Sequence, residues 1–245
     1  MAQRIRLDQL LVEQGEAESR EKAKRLILAG AVKVAGHVCD KPSRTFAPEV
    51  EIELRERPKY VGRGGFKLEG ALRGFGIDPT GRVCLDIGAS TGGFTDCLLQ
   101  HGAERVHAID VGTNQLVWKL RNDPRVHEQE RFNARQLDES HLGERVSLIV
   151  VDVSFISLTK ILPAAFGVLE PEGEVIALVK PQFELRREEI GKGGVVRDAN
   201  LHHKAVAKIR RFVEEEQGKR WSRVIESPIK GTDGNREFLA WLRNA

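Results

Sequence analysis

The stretch that most restricts this chain is Val83-Cys84-Leu85-Asp86-Ile87-Gly88-Ala89-Ser90-Thr91-Gly92-Gly93-Phe94. Five residues of strand character run into a cluster of small residues, and a helical pattern opens at Phe94. Strand, tight turn and helix in that order seed an open α/β sheet, whose ligands sit at the carboxyl ends of the strands. Small residues at the turn let the backbone approach a ligand closely. No lysine follows the glycines, so the turn is not a P-loop. Ala89-Ser90 replaces the middle glycine of a dinucleotide fingerprint, so G-x-G-x-x-G does not fit either. The form that remains is D-x-G-x-x-x-G, with Asp86 two positions before the first glycine.

The surrounding pattern agrees. Strands are expected at Val83–Ile87, Arg105–Ile109, Leu148–Val151, Val175–Val179, Arg223–Glu226 and Phe238–Leu242, with helical patterns between them at Phe94–Gln100, Gln115–Leu120 and His202–Glu216. This alternation predicts an α/β domain with a mainly parallel sheet and helices on both faces. The D-x-G-x-x-x-G turn resembles the S-adenosylmethionine site of Rossmann-like methyltransferases. The resemblance implies cofactor contacts at Asp86, Gly88, Ala89, Ser90, Thr91, Gly92 and Gly93. Asp110 ends the next strand, where a carboxylate can accept both ribose hydroxyls.

The acceptor is read partly by what is missing. Leu148–Val151 ends in Asp152-Val153-Ser154-Phe155, without the two prolines that usually accompany methylation of exocyclic base nitrogens. None of Cys39, Cys84 and Cys97 follows a proline or ends this strand or the next, as carbon methylation would need. An oxygen acceptor is expected. The following strand ends at Lys180, at a sheet edge where desolvation favours a neutral amine able to take a proton. Lys67 precedes the first strand and Glu237 opens the last. Each of these charges alone could be a surface group or a structural ion pair. The order Lys67–Asp152–Lys180–Glu237 resembles the tetrad of ribose 2′-O-methyltransferases. That resemblance implies Lys180 as base or activator, Asp152 (also beside the cofactor) and Glu237 orienting it, and Lys67 steadying the hydroxyl or a nearby phosphate.

Charge separates the two ends of the chain. Residues 1–65 carry thirteen basic and ten acidic side chains, and residues 66–245 carry twenty-six of each, so the whole excess of +3 lies in the first quarter. There Leu7, Leu10 and Leu11 share a helical face, and Ser19 and Gly30 fit the cap and stop of a second helix. Ala23, Leu26 and Ile27 are expected to face inward. Short strands follow at Val32–Val34 and Val50–Leu54. A basic helix and strand can track a phosphate backbone. The runs Arg6-Leu7-Asp8-Gln9-Leu10-Leu11, Ser19-Arg20-Glu21-Lys22-Ala23 and Leu28 to Gly36 resemble the RNA-binding domain named after small-subunit ribosomal protein four. RNA contacts are expected at Arg4, Arg6, Arg20, Lys22, Lys24, Arg25 and Lys33, and at Lys192 and Arg197 in a glycine-rich loop read as a flap. The boundaries are 1–57 for the RNA-binding domain, 58–65 for a linker and 66–245 for the methyltransferase domain.

Gly62–Leu68, Asp86–Asp96, Asp152–Ser157, Val179–Glu184, Gly191–Asp198 and Gly234–Leu239 together resemble the TlyA family, often labelled haemolysins, with a methyltransferase domain of FtsJ type. The resemblance adds Phe94 and Asn133 to the cofactor contacts. It implies methylation of a cytidine 2′-hydroxyl in 16S and/or 23S rRNA, with rRNA or ribosomal subunits as partners and DNA excluded. Two alternatives are a membrane-acting haemolysin and a non-catalytic RNA-binding protein. No apolar run reaches the about 18 residues of a membrane span, and no signal-peptide core follows Arg4 and Arg6. A cytoplasmic protein with reduced thiols and no metal site is expected. The oligomeric state stays open.

Overall fold

The computed structural model describes residues 4–54, 59–191 and 193–244. The chain divides into two compact units, Met1–Lys59 and Tyr60–Ala245.

In the first unit β1 (Ile5–Arg6) leads into α1 (Leu7–Glu13), followed by α2 (Arg20–Leu28), β2 (Val32–Val34), β3 (His37–Val38), β4 (Thr45–Phe46) and β5 (Ile52–Leu54). The amide of Lys22 donates to Ser19 Oγ at 3.2 Å, which fixes the start of α2. Gly30 takes the left-handed conformation that ends it. Leu7, Leu11, Ala23 and Ile27 pack with Val32, Val34 and Cys39 into one small core. Leu26 is partly buried against it.

The second unit contains α3 (Gly64–Phe75), β6 (Val83–Ile87), α4 (Gly93–Gln100), β7 (Arg105–Ile109), α5 (Trp118–Arg121), β8 (Val126–Gln129), α6 (Glu139–Leu142), β9 (Val146–Val151), α7 (Leu162–Gly167), β10 (Leu169–Val179), α8 (Pro181–Glu184), α9 (Ala199–Arg211), β11 (Arg220–Glu226) and β12 (Phe238–Arg243). Seven strands form one sheet in the order β11-β12-β10-β9-β6-β7-β8. The run β10-β9-β6-β7-β8 is parallel, and β12 lies antiparallel between β10 and β11. Two apolar layers flank it. Leu162, Ala165, Ile209 and Val213 lie on one side and Leu68, Ala71, Leu98 and Leu120 on the other.

The structure departs from the sequence reading at several places, and the following bear on the second unit. Strand β8 was not expected: Val126-His127-Glu128-Gln129 is an edge strand with one apolar residue, so it carries no burial signal. Helix α5 is shorter than Gln115–Leu120 because Val117 is extended. The helix expected over His202–Glu216 starts at Ala199 and turns into a π-helical segment at Phe212–Glu216. The span expected as a linker is, from Tyr60 on, part of the second unit. Tyr60 is buried against Gly65, the Val61 amide donates to Asp96 Oδ2 at 2.9 Å, and α3 starts at Gly64. Residues 55–58 lie outside the described residues. Among the described residues no helix is long and apolar enough to cross a membrane.

Candidate active site

The sheet brings the candidate residues to one edge. Asp86 and Ile87 end β6, and Gly88 turns the chain at φ +87°. A Cβ at Gly88 would run into the backbone carbonyl of Asp152, so no other residue fits between the ends of β6 and β9. Ser90 is held at φ +48°, and its amide donates to Asp110 Oδ2 at 2.8 Å. The other carboxylate oxygen of Asp110 accepts from the Gly112 amide at 2.7 Å. Asp110 is thereby fixed at the end of β7. Asp86 has no exposed surface. Thr95 Oγ1 donates to its Oδ2 at 2.7 Å, and its Oδ1 has no partner. Burial pushes this carboxyl up to about 7, against the Thr95 hydrogen bond.

A cavity of about 550 Å³ lies over this edge, lined by Gly88, Ser90, Asp110, Asn133, Asp152 and neighbouring apolar groups. Asn133 Oδ1 accepts from the Arg135 amide at 3.2 Å. A second cavity of about 400 Å³ adjoins it, sharing Gly88, Ser90, Asp152, Ser154 and Phe155. Ala89, Thr91, Gly93 and Phe94 line this second space. Volumes of this size suit small ligands. Gly92 lies behind the turn at φ +95°, against Leu116 and Leu120.

The second cavity also holds Lys67, Lys180 and Glu237. Strands β9 and β10 run parallel with Val151 beside Ala177, so Asp152 and Lys180 emerge next to each other. Lys180 Nζ lies 2.6 Å from Asp152 Oδ1 and donates to Ser154 Oγ at 2.9 Å. Strand β12 runs the other way and pairs Phe238 with Val179, so the residue before it, Glu237, reaches the same edge. Lys67 on α3 donates to Glu237 Oε2 at 2.6 Å. Lys67 and Lys180 are each 8% exposed and Glu237 3%. The four charges thus form two pairs facing one space, Lys67–Glu237 buried on both sides and Lys180 buried against a partly exposed Asp152. Ion pairs so placed persist only with good geometry, because desolvation opposes them.

Sequence reasoning missed Arg63, Ser154, Gln182 and Lys230, which line the same cavity. Arg63 Nη2 donates to the Lys230 carbonyl at 3.0 Å, which closes one wall. Ser154 and Gln182 each stand two residues beyond a strand-end charge, and that spacing was the available signal.

The expected RNA-facing cations are unequally committed. Asp8 is fully buried, with Arg6 Nε at 3.0 Å and Arg20 Nη2 at 3.2 Å. Arg6 first, then Arg20, hold its carboxyl below the usual range against its burial. Arg4 donates to the Thr45 carbonyl at 2.7 Å. Lys22 pairs with Glu18 at 2.7 Å and Lys33 with Glu53 at 3.7 Å. Lys24, Arg25 and Arg197 are exposed. Lys192 lies outside the described residues. Among the described residues no group of three or more histidine, cysteine or acidic side chains is placed to hold a metal ion.

Residues 60–244 match the FtsJ-like methyltransferase family and residues 5–52 the S4 domain. The 16S/23S rRNA (cytidine-2′-O)-methyltransferase TlyA of Mycobacterium tuberculosis strain H37Rv is 46% identical, over 99% of this chain and 91% of that protein. The chain belongs to the TlyA family. Hemolysin A of Brachyspira hyodysenteriae is 47% identical over 96% of this chain and 98% of its own length. A solved Streptococcus thermophilus protein that carries a provisional hemolysin name matches with a TM-score of 0.75 at 45% identity, covering 100% of this chain and 90% of that one. As a TlyA protein with an FtsJ-like domain, the chain is a methyltransferase dependent on S-adenosylmethionine.

Proposed function

We propose that this chain methylates the 2′-hydroxyl of a cytidine in 16S and/or 23S rRNA. The observation that carries the reading is the meeting of the Lys67–Glu237 and Lys180–Asp152 pairs in one cavity that adjoins the Asp110 cavity. The residues present fit S-adenosylmethionine: Gly88 leaves a close approach that a Cβ would fill, and Asp110 offers a fixed carboxylate to ribose hydroxyls. When bound, this cofactor supplies an electrophilic methyl group on a sulfonium. The turn from Asp86 to Phe94 would hold its amino-acid end, with Asp110 and Asn133 at its nucleoside.

Lys180 is the group we assign to the reacting hydroxyl. Its Nζ first gives one proton up to solvent, and the resulting neutral amine contacts the hydroxyl and takes up its proton as the oxygen attacks. Asp152 keeps Nζ on the side of the cofactor. Glu237 holds Lys67, whose ammonium steadies the hydroxyl or an adjoining phosphate. Positioning supplies much of the rate in such an in-line transfer. The first unit grips structured RNA through Arg4, Arg6, Arg20, Lys22, Lys24, Arg25 and Lys33, and Lys192 and Arg197 add contacts from the second. A cytoplasmic site of action follows from an rRNA substrate.

The test is incubation of purified ribosomal subunits with radiolabelled S-adenosylmethionine, followed by reverse-transcription mapping on 16S and 23S rRNA. Label at the ribose of a cytidine is the expected result. Absence of label from every subunit and from intact ribosomes would sink the proposal.

A further inference from the structure

One amide in the acceptor cavity has no partner. Gln182 is the second residue of α8 and lines the space that holds Lys67, Lys180 and Glu237. It is half-buried, and its Oε1 is closed off from solvent with no hydrogen bond. No described residue bonds its nitrogen. The two charged side chains of this turn are tied down. Glu184, two residues on, accepts from Ser157 Oγ at 2.5 Å, the Leu158 amide at 2.8 Å and Lys208 Nζ at 3.1 Å. Lys180, two residues earlier, is held by Asp152 and Ser154. The orphan is therefore particular to Gln182 and not a sign of a loose turn. Folded proteins keep few such groups, and those they keep need a reason such as a ligand that completes them.

We propose that Gln182 hydrogen-bonds the base of the target nucleoside. This rests on the ribose-methylation reading above. A nucleoside whose ribose hydroxyl meets Lys180 must carry its base further along the same wall, and Gln182 stands two residues further along it. A side-chain amide offers both a donor and an acceptor, and a half-turn about its last bond presents either end. A cytosine edge likewise carries an amine donor and ring acceptors. A phosphate, with acceptors only, is better served by the cations Arg63 and Lys230 on this cavity wall. The cofactor's nucleoside is a poorer match, because the cavity of Asp110 and Asn133 does not include Gln182; its amino-acid end would share the acceptor cavity through Thr91 and Phe94, and cofactor Kd separates that reading.

The experiment is a cycle that removes each partner in turn. Wild type and Gln182→Leu are compared on reconstituted subunits carrying either cytidine or an abasic residue at the mapped nucleotide. Kd for the subunit and kcat/KM are the readouts, and Kd for S-adenosylmethionine is measured alongside. On cytidine, Gln182→Leu should weaken subunit binding and kcat/KM by about threefold to tenfold, the range for one neutral hydrogen bond. On the abasic subunit the substitution should change Kd less than twofold, and cofactor Kd should not move. Gln182→Ala should repeat the pattern, which guards against a leucine that packs badly. Equal losses on both subunits, no loss on cytidine, or a parallel loss of cofactor affinity would each overturn the contact. A wild type that labels no rRNA would instead overturn the methylation reading itself, and the inference would fall with it.

Discussion

Lys180 Nζ has two oxygen neighbours in the free chain, Asp152 Oδ1 and Ser154 Oγ. A substrate hydroxyl at this nitrogen therefore meets an amine whose direction is already set. Lys180→Ala should lower methyl transfer by about 10³-fold or more, in line with loss of a general base and its positioning. Calorimetry should show cofactor affinity within about twofold of wild type. Retained turnover would refute the role. Asp86 yields a different prediction. In the folded chain its carboxyl keeps a proton up to about 7, from an ordinary value of 3.8. Between those values the folded state binds the extra proton, so this group makes stability fall as pH rises, and the effect is flat above about 7. The slope is at most about 1.4 kcal/mol per pH unit. Asp86→Asn keeps an acceptor for Thr95 and removes the titration. Its Tm should gain on wild type between pH 5 and pH 7.5, and a constant difference across that range would count against a protonated Asp86.

At the scale of elements, reversal of a single strand completes the site. Parallel strands deliver their carboxyl ends to the ligand edge, so Asp86, Asp110, Asp152 and Lys180 were all legible as strand-end residues. Glu237 reaches the edge only because β12 is antiparallel and begins there. Sequence pattern alone does not show strand direction, and the tetrad resemblance supplied that residue instead. Lys67 was legible in the same way, since nothing in Gly64-Gly65-Phe66-Lys67 signals a charge that will be buried. Gln182 and Ser154 carry only a weak signal, their spacing two residues beyond a strand-end charge, because a neutral polar side chain there otherwise looks like any loop residue. The short helix α2 shows the opposite case. Its cap was readable from Ser19 alone, and the Lys22 amide bonds that hydroxyl. Ser19→Ala should cost about 1 kcal/mol. Faster amide exchange through α2, with the second unit unchanged, is the expected signature.

The whole chain is a basic first unit, +2 over residues 1–59, followed by a nearly balanced second one, +1 over residues 60–245. The net excess of +3 lies in residues 1–65. Several of its cations are partly occupied by their own carboxylates, Arg6 and Arg20 by Asp8 and Lys22 by Glu18. Removing residues 1–59 leaves Tyr60 to fill its place in the second unit. The shortened protein should bind rRNA more weakly. The slope of log Kd against log salt should flatten by about 2 to 4, close to one for each phosphate that the first unit neutralises. An unchanged slope would show that the first unit is not the RNA anchor.

The reversed strand also has a practical use. Strand β12 leaves the cleft at Glu237 and ends at Arg243. Six residues at about 3.3 Å each carry the chain about 20 Å across the sheet. A surface linker or fluorophore attached after Asn244 would therefore sit at the opposite margin. A tether there would leave the strand ends that form the cleft clear of the attachment.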